Sequence, residues 1–159
     1  MKQCLLLAAT LILSTHSVAA LNCNSTIKNQ SIHEDIKAGK NCSLENLIIH
    51  GNISIEKNAR VELKNNHIQG NLYSDNFFSE VKASDNIIQG NIQFESGKNI
   101  QLENNQVKGS IHLIQNKGNI SLASNHIAGD LICSKNSFNM QVVKNKVEGA
   151  QREQCQNLR

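Results

Sequence analysis

Apolar and polar positions alternate along this chain in a pattern that starts over about every twenty residues. Six glycines mark the period: Gly51, Gly70, Gly90, Gly109, Gly129 and Gly149, separated by 19, 20, 19, 20 and 20 residues. Two places before each glycine stands an apolar residue: Ile49, Ile68, Ile88, Val107, Ile127 and Val147. Two places after it come Ile53, Leu72, Ile92, Ile111 and Leu131. Leu44, Leu63, Ala83, Leu102, Leu122 and Val142 lie seven places before, and Val61, Val81, Ile100, Ile120 and Met140 nine before, with Cys42 heading that column. Alternation with a period of two is the signature of strands, and a fixed longer period is the signature of a repeat architecture.

One turn of such a repeat cannot bury its own inward side chains, but stacked turns join each column into a continuous apolar ladder. The pattern therefore predicts an all-β, single-stranded β-solenoid of about six coils, each of about twenty residues and two strands. Residues 21–159 form this one domain, and a column position such as Val107 is expected to tolerate a charge far less well than its neighbour Lys108.

Five asparagines, Asn66, Asn86, Asn105, Asn125 and Asn145, recur four places before a glycine. Asparagine tolerates the left-handed backbone of a sharp bend, and stacked amides hydrogen-bond to one another, so the column reads as a structural ladder between the two strands of each coil. The glycines read as bends or bulges. No glycine-rich loop leads into a helix, so phosphate cradling is excluded.

Composition changes the picture in two places. The 23 asparagines and the absence of proline and tryptophan would elsewhere suggest a disordered tract, but the periodicity argues against one. The N-terminus reads as a secretory signal over residues 1–20: Lys2, an apolar run from Leu5 to Leu13, then small residues from Ser17 to Ala20. That run is too short for a membrane span. Cleavage after Ala20 takes away one lysine and lowers the formal net charge from +3 to +2, dispersed along the chain, which is not the footprint of a nucleic-acid binder. Asn22 stands where a lipoprotein would need a small residue before Cys23.

Four cysteines remain after export: Cys23, Cys42, Cys133 and Cys155. An oxidising compartment favours two disulfides, and sequence alone permits three connectivities. Cys23 and Cys42 are 19 residues apart and Cys133 and Cys155 are 22 apart, so each pair falls on successive coils and is expected to stack and staple one end. Their spacing lacks the paired motifs of a zinc site. Gln151 and Glu153 continue the core columns as polar residues and close the stack.

The text Asp35-Ile36-Lys37-Ala38-Gly39-Lys40-Asn41-Cys42-Ser43-Leu44, then Gly51-Asn52-Ile53-Ser54-Ile55, Gly129-Asp130-Leu131-Ile132-Cys133 and Glu153-Gln154-Cys155, resembles a group of secreted bacterial proteins of unknown function. These share an AGxxCxL, GNVxV, GNLxC, EGQC layout. The likeness spans nearly the whole mature chain, although the proline-rich loop usual before the last cysteine is missing. It implies a short right-handed parallel β-helix and an exported location, secreted or periplasmic, and no activity. The stacked Gly-Asn-Ile text is more distantly similar to bactofilins, which polymerise end to end.

Candidate chemistry is sparse. His67 and His126 share a column three coils apart, too far for one metal ion, and His50 and His112 fall in other columns. An acidic column five places after the glycine, Glu56, Asp75 and Glu95, is the one candidate cation site, beside a solvated turn as the plainer reading. That turn varies most between coils and is a candidate binding face. Phe77, Phe78 and Phe138 fall there, and read as lids on the core rather than as a ligand platform.

The reading that follows is an exported, non-catalytic structural or interaction protein, a monomer without cofactor, whose partner is a protein or an envelope polysaccharide. The alternatives are a polysaccharide-active enzyme or carbohydrate binder and a self-assembling filament. An enzyme would need two carboxylates facing one groove, whereas Asp75, Asp85 and Asp130 occupy different columns. Rows of outward threonine, as ice binding requires, are absent after Thr26.

Overall fold

In the computed structural model, which describes residues 19–74, 77–137 and 139–156, the chain winds through parallel strands, each lying directly over the strand one turn earlier. The first turn holds β1 (Leu21–Cys23), β2 (Thr26–Lys28) and β3 (Ser31–Ile32), and the second β4 (Ile36–Ala38), β5 (Cys42–Glu45) and β6 (Ile48–Ile49). The third holds β7 (Ile53–Ile55), β8 (Arg60–Lys64) and β9 (His67–Ile68), and the fourth β10 (Leu72–Ser74), β11 (Glu80–Ser84) and β12 (Ile87–Ile88). The fifth holds β13 (Ile92–Glu95), β14 (Asn99–Glu103) and β15 (Gln106–Val107), and the sixth β16 (Ile111–Ile114), β17 (Ile120–Ala123) and β18 (His126–Ile127). The seventh holds β19 (Leu131–Ser134), β20 (Met140–Val143) and β21 (Lys146–Val147), and β22 (Gln151–Glu153) starts an eighth. Residues 1–18, which hold most of the expected signal segment 1–20, lie outside the described residues.

This all-β solenoid differs from the sequence reading in two respects. Each turn has three strands rather than two, so three parallel sheets of eight, seven and seven strands face one another across the core. The predicted columns are the inward positions of all three. Ile53, Leu72, Ile92, Ile111 and Leu131 line the first sheet, the columns of Leu63 and Val61 the second, and that of Ile68 the third. The stack also has seven turns rather than six. The first turn escapes the count because it carries no repeat glycine: Gly51 stacks over Glu34.

That exception explains the glycines. None has a positive φ, so bending is not what they supply. A Cβ on Gly70 would lie 2.4 Å from the Gly51 carbonyl oxygen, and one on Gly90 would lie 2.6 Å from that of Gly70. Each repeat glycine passes so close over the backbone of the turn below that only hydrogen fits. Among the described residues Glu34 has no earlier turn of the coil beneath it, and a side chain is allowed.

Both disulfides join successive turns with the predicted pairing, Cys23–Cys42 and Cys133–Cys155, each with a Cα separation of 5.3 Å. They do not stack within one column. Cys23 pairs in register with Ala38 in the first sheet, and Cys42 with Val61 in the second. Cys23–Cys42 therefore crosses the corner between those two sheets, and Cys133–Cys155 ties the first sheet to the turn that follows β22 at the other end. A crosslink closing a loop of that length is worth about 3 kcal/mol by loop-closure entropy. At the C-terminal end Gln151, Arg152 and Glu153 lie over Leu131, Ile132 and Cys133 and are all exposed.

Two substitutions test this packing by urea denaturation. Gly70→Ala should cost about 1–3 kcal/mol, because its methyl meets backbone rather than a movable side chain. Val107→Asp, at a position 1% exposed, should prevent folding or lower stability by several-fold more than Lys108→Asp on the surface.

Candidate functional site

Each corner of the solenoid must turn a chain whose backbone N–H groups no longer meet a strand. At the corner between the second and third sheets the asparagine ladder meets this need. Leu47, Asn66, Asn86, Asn105 and Asn125 each donate their backbone N–H to the side-chain oxygen of the asparagine one turn later, at 2.9–3.1 Å. Each ladder amide also donates Nδ2–H backwards, Asn105 to the carbonyl of Ala83 and Asn125 to that of Leu102, both at 2.8 Å. Asn66, Asn86, Asn105 and Asn125 are buried and Asn145 half-buried.

The left-handed residue is not the ladder asparagine but the one before it: Asn46, Asn65, Asp85, Asn104, Ser124 and Lys144 have φ of 53–57°. The bend and the ladder occupy adjacent positions because a side chain can reach the next turn only once the backbone has already turned.

Two further ladders were not identified from the sequence. Between the first and second sheets, Gly97 donates to Asn116, Asn116 to Asn136, and Asn136 to the Gln154 side chain, at 2.7–3.0 Å. Ser96, Gln115 and Lys135, one place before the ladder position, are left-handed, but their three different residue types leave no common letter in the sequence. Between the third and first sheets, Asp35, Asn52, Asn71, Asn91, Ser110 and Asp130 each accept the backbone N–H one turn later, at 2.7–3.0 Å. Here the column mixes three side-chain types, Asp, Asn and Ser, that share only an acceptor oxygen. Among the described residues every buried side-chain nitrogen and oxygen has a hydrogen-bond partner.

Of the acidic column, Asp75 lies outside the described residues. Glu56 is exposed and Glu95 half-buried, two turns apart, and among the described residues no three His, Cys, Asp or Glu are grouped to hold a metal ion. His67 and His126 share one register column three turns apart. His50 stacks on His33 with ring centroids 4.4 Å apart, and its Nδ1 lies 3.0 Å from Gln69 Oε1. Phe78 is a core residue, edge-on to Phe94 with centroids 5.5 Å apart, and a Cβ at Gly97 would strike its ring. Phe77 is exposed, with Lys117 Nζ 5.7 Å from its ring centroid, and Phe138 lies outside the described residues.

The surface feature with extent is a trough on the outer face of the second sheet. Three depressions of about 220, 260 and 470 Å³ follow one another along the solenoid axis; Glu80 and Lys82 line both the first and second, Asn119 and Ser121 both the second and third. Its floor is one register column, Ser43, Glu62, Lys82, Gln101, Ser121 and Gln141. Along one side runs the column Arg60, Glu80 and Asn99, continued by Asn119 and Asn139. The first half carries two acids and two bases, with Lys82 3.4 Å from Glu80; the second carries only amides and a hydroxyl.

Nearby, Lys28 pairs with Glu45, and their hydrogen bond, with the lysine's charge, holds the Glu45 carboxyl below its ordinary value. Glu148 is lowered in the same way by hydrogen bonds from His126, at 2.7 Å, and Lys146.

Comparison with protein-family models, with curated proteins and with solved structures finds no match. No helix among the described residues is long and apolar enough to cross a membrane.

Two outcomes check these contacts. Asn105→Ala strands the Asn86 N–H and the Ala83 carbonyl, and should cost about 2–3 kcal/mol in urea denaturation. In an NMR pH titration Lys28→Ala should raise the Glu45 pKa towards an ordinary carboxylate. Because that pKa is lowered on folding, the pair's contribution is present at neutral pH and lost as pH falls through it; exposure keeps the contribution small.

Proposed function

We propose that this chain is an exported, non-catalytic interaction protein of the cell envelope or secreted space, a rigid rod that offers outward columns to a partner. The observation that carries the reading is the division of labour among its polar side chains. Buried amides at the corners are spent on holding turns together, while the polar groups of the second sheet recur in register along an open trough and point to solvent. A surface that repeats at each turn suits a partner that is itself extended.

Export is supported by the pattern of residues 1–20, by the resemblance to secreted bacterial proteins and by two disulfides, which persist in oxidising compartments. The test is expression of the whole chain in a Gram-negative host, followed by fractionation, N-terminal analysis and thiol counting. Expected are a mature chain starting at Leu21, no reactive thiol, and recovery from periplasm or medium. A full-length cytoplasmic product with free thiols would overturn the reading.

A further inference from the structure

The trough on the second sheet has a chemistry that selects among extended polymers. We infer that it binds an unbranched, neutral, β-linked glycan lying along the solenoid axis; this rests on the interaction reading above and names its partner. Four observations converge on that class.

The first is length. The trough crosses strands β5, β8, β11, β14, β17 and β20, and five steps at the ~4.8 Å spacing of paired strands make about 24 Å. A pyranose ring in an extended glycan is close to one such step long, so successive rings meet equivalent side chains on successive turns.

The second is the kind of group on offer. Gln101, Asn119, Ser121, Asn139 and Gln141 each present both a donor and an acceptor, as every sugar hydroxyl does, while Asn99 offers its Nδ2–H, its Oδ1 accepting the Asn119 backbone N–H at 3.2 Å. The third is charge. Arg60 and Lys82 are balanced by Glu62 and Glu80, so the trough has no surplus to attract a polyanion such as a nucleic acid or a uronate chain.

The fourth observation excludes an extended peptide. Peptides that join a sheet do so at an edge, through backbone hydrogen bonds. From β5 to β17 the trough is a sheet face whose strands are paired on both sides; among the described residues its one free edge is β20, where an added strand would lie across the end of the trough and not along it. Its apolar residues Val61, Val81, Ile100 and Ile120 point inwards and are buried, and only Met140, at the far end, is half-buried, so the trough offers no row of pockets for apolar peptide side chains.

Among the described residues no aromatic ring lines the trough, so binding rests on hydrogen bonds exchanged with water. Each is worth little, and affinity accumulates with the number of turns covered. A hexasaccharide should bind far better than a disaccharide, with a dissociation constant of about 1 mM.

The experiment is an NMR titration of the oxidised mature chain with cellohexaose, with chitohexaose and, as a charged control, with hexagalacturonate. Expected are shift changes confined to the second sheet, centred on Gln101, Ser121 and Gln141, from one or both neutral probes. Response to both assigns recognition to the ring hydroxyls; response to chitohexaose alone assigns it to the acetamido group. The variant combining Gln101→Ala, Ser121→Ala and Gln141→Ala should bind at least tenfold more weakly at unchanged melting temperature, since three hydrogen bonds go and each tenfold is ~1.4 kcal/mol. Gln93→Ala, on the first sheet, should bind as the parent does. No shifts at 10-fold probe excess over that constant, shifts on another sheet, or equal binding of hexagalacturonate would overturn the proposal. Because export and processing are read separately, those failures would leave the interaction reading standing.

Discussion

Everything in this molecule depends on backbone groups finding partners one turn away. A strand one residue thick has no other place to satisfy its N–H and C=O groups, so the turns must lie in register over their whole length, corners included. Within the sheets the parallel pairing does this. At the corners the backbone swings out of reach, and side-chain oxygens take over. The abundance of asparagine follows: its short side chain ends in both a donor and an acceptor, so one residue can accept from one turn and donate to another. Glutamine enters only where the series ends, as Gln154 directly after the exposed last strand.

The same requirement sets the spacing of the glycines and the bulk of the core. Turns in contact along the third corner bring backbone over backbone, with Gly90 N–H donating to Gly70 O at 3.2 Å and Gly129 to Gly109 at 3.0 Å. Where the core column thins to Ser74 in the fourth turn, Phe78 is buried from the corner beside it and Gly97 makes room one turn above. Packing of this kind couples neighbouring turns but not distant ones, so disturbance at one level should stay local.

Much of this was legible in the residues, and what was missed has identifiable reasons. The columns of Ile68, Leu72, Leu63 and Val61 stand out because burial demands an apolar residue at every turn. The third strand hid because β9, β12 and their relatives are only two residues long and their alternation is too brief to register as a strand of its own. The first turn hid because Glu34, at the bottom, is relieved of the crowding that demands glycine above it. The corner beside Asp35 hid because hydrogen-bond acceptance can be met by aspartate, asparagine or serine alike, and a column defined by one lone pair has no fixed letter. The trough was the least legible: its floor spreads four residue types over six positions, and only the register brings them into line.

The amide rows have a direction. Asn105 Oδ1 accepts from the Asn86 N–H and Asn116 Oδ1 from the Gly97 N–H, so in two corners the amide oxygens face the earlier turn and the C=O dipoles point along the chain's advance. At the third, Asn71 Nδ2 donates to Asn52 Oδ1, against it. Two rows up and one down leave an uncancelled polarity along the axis. The bottom of the cylinder and its top are thus electrically unlike before any charged residue is counted, and an ion approaching along the axis meets a different field at each end.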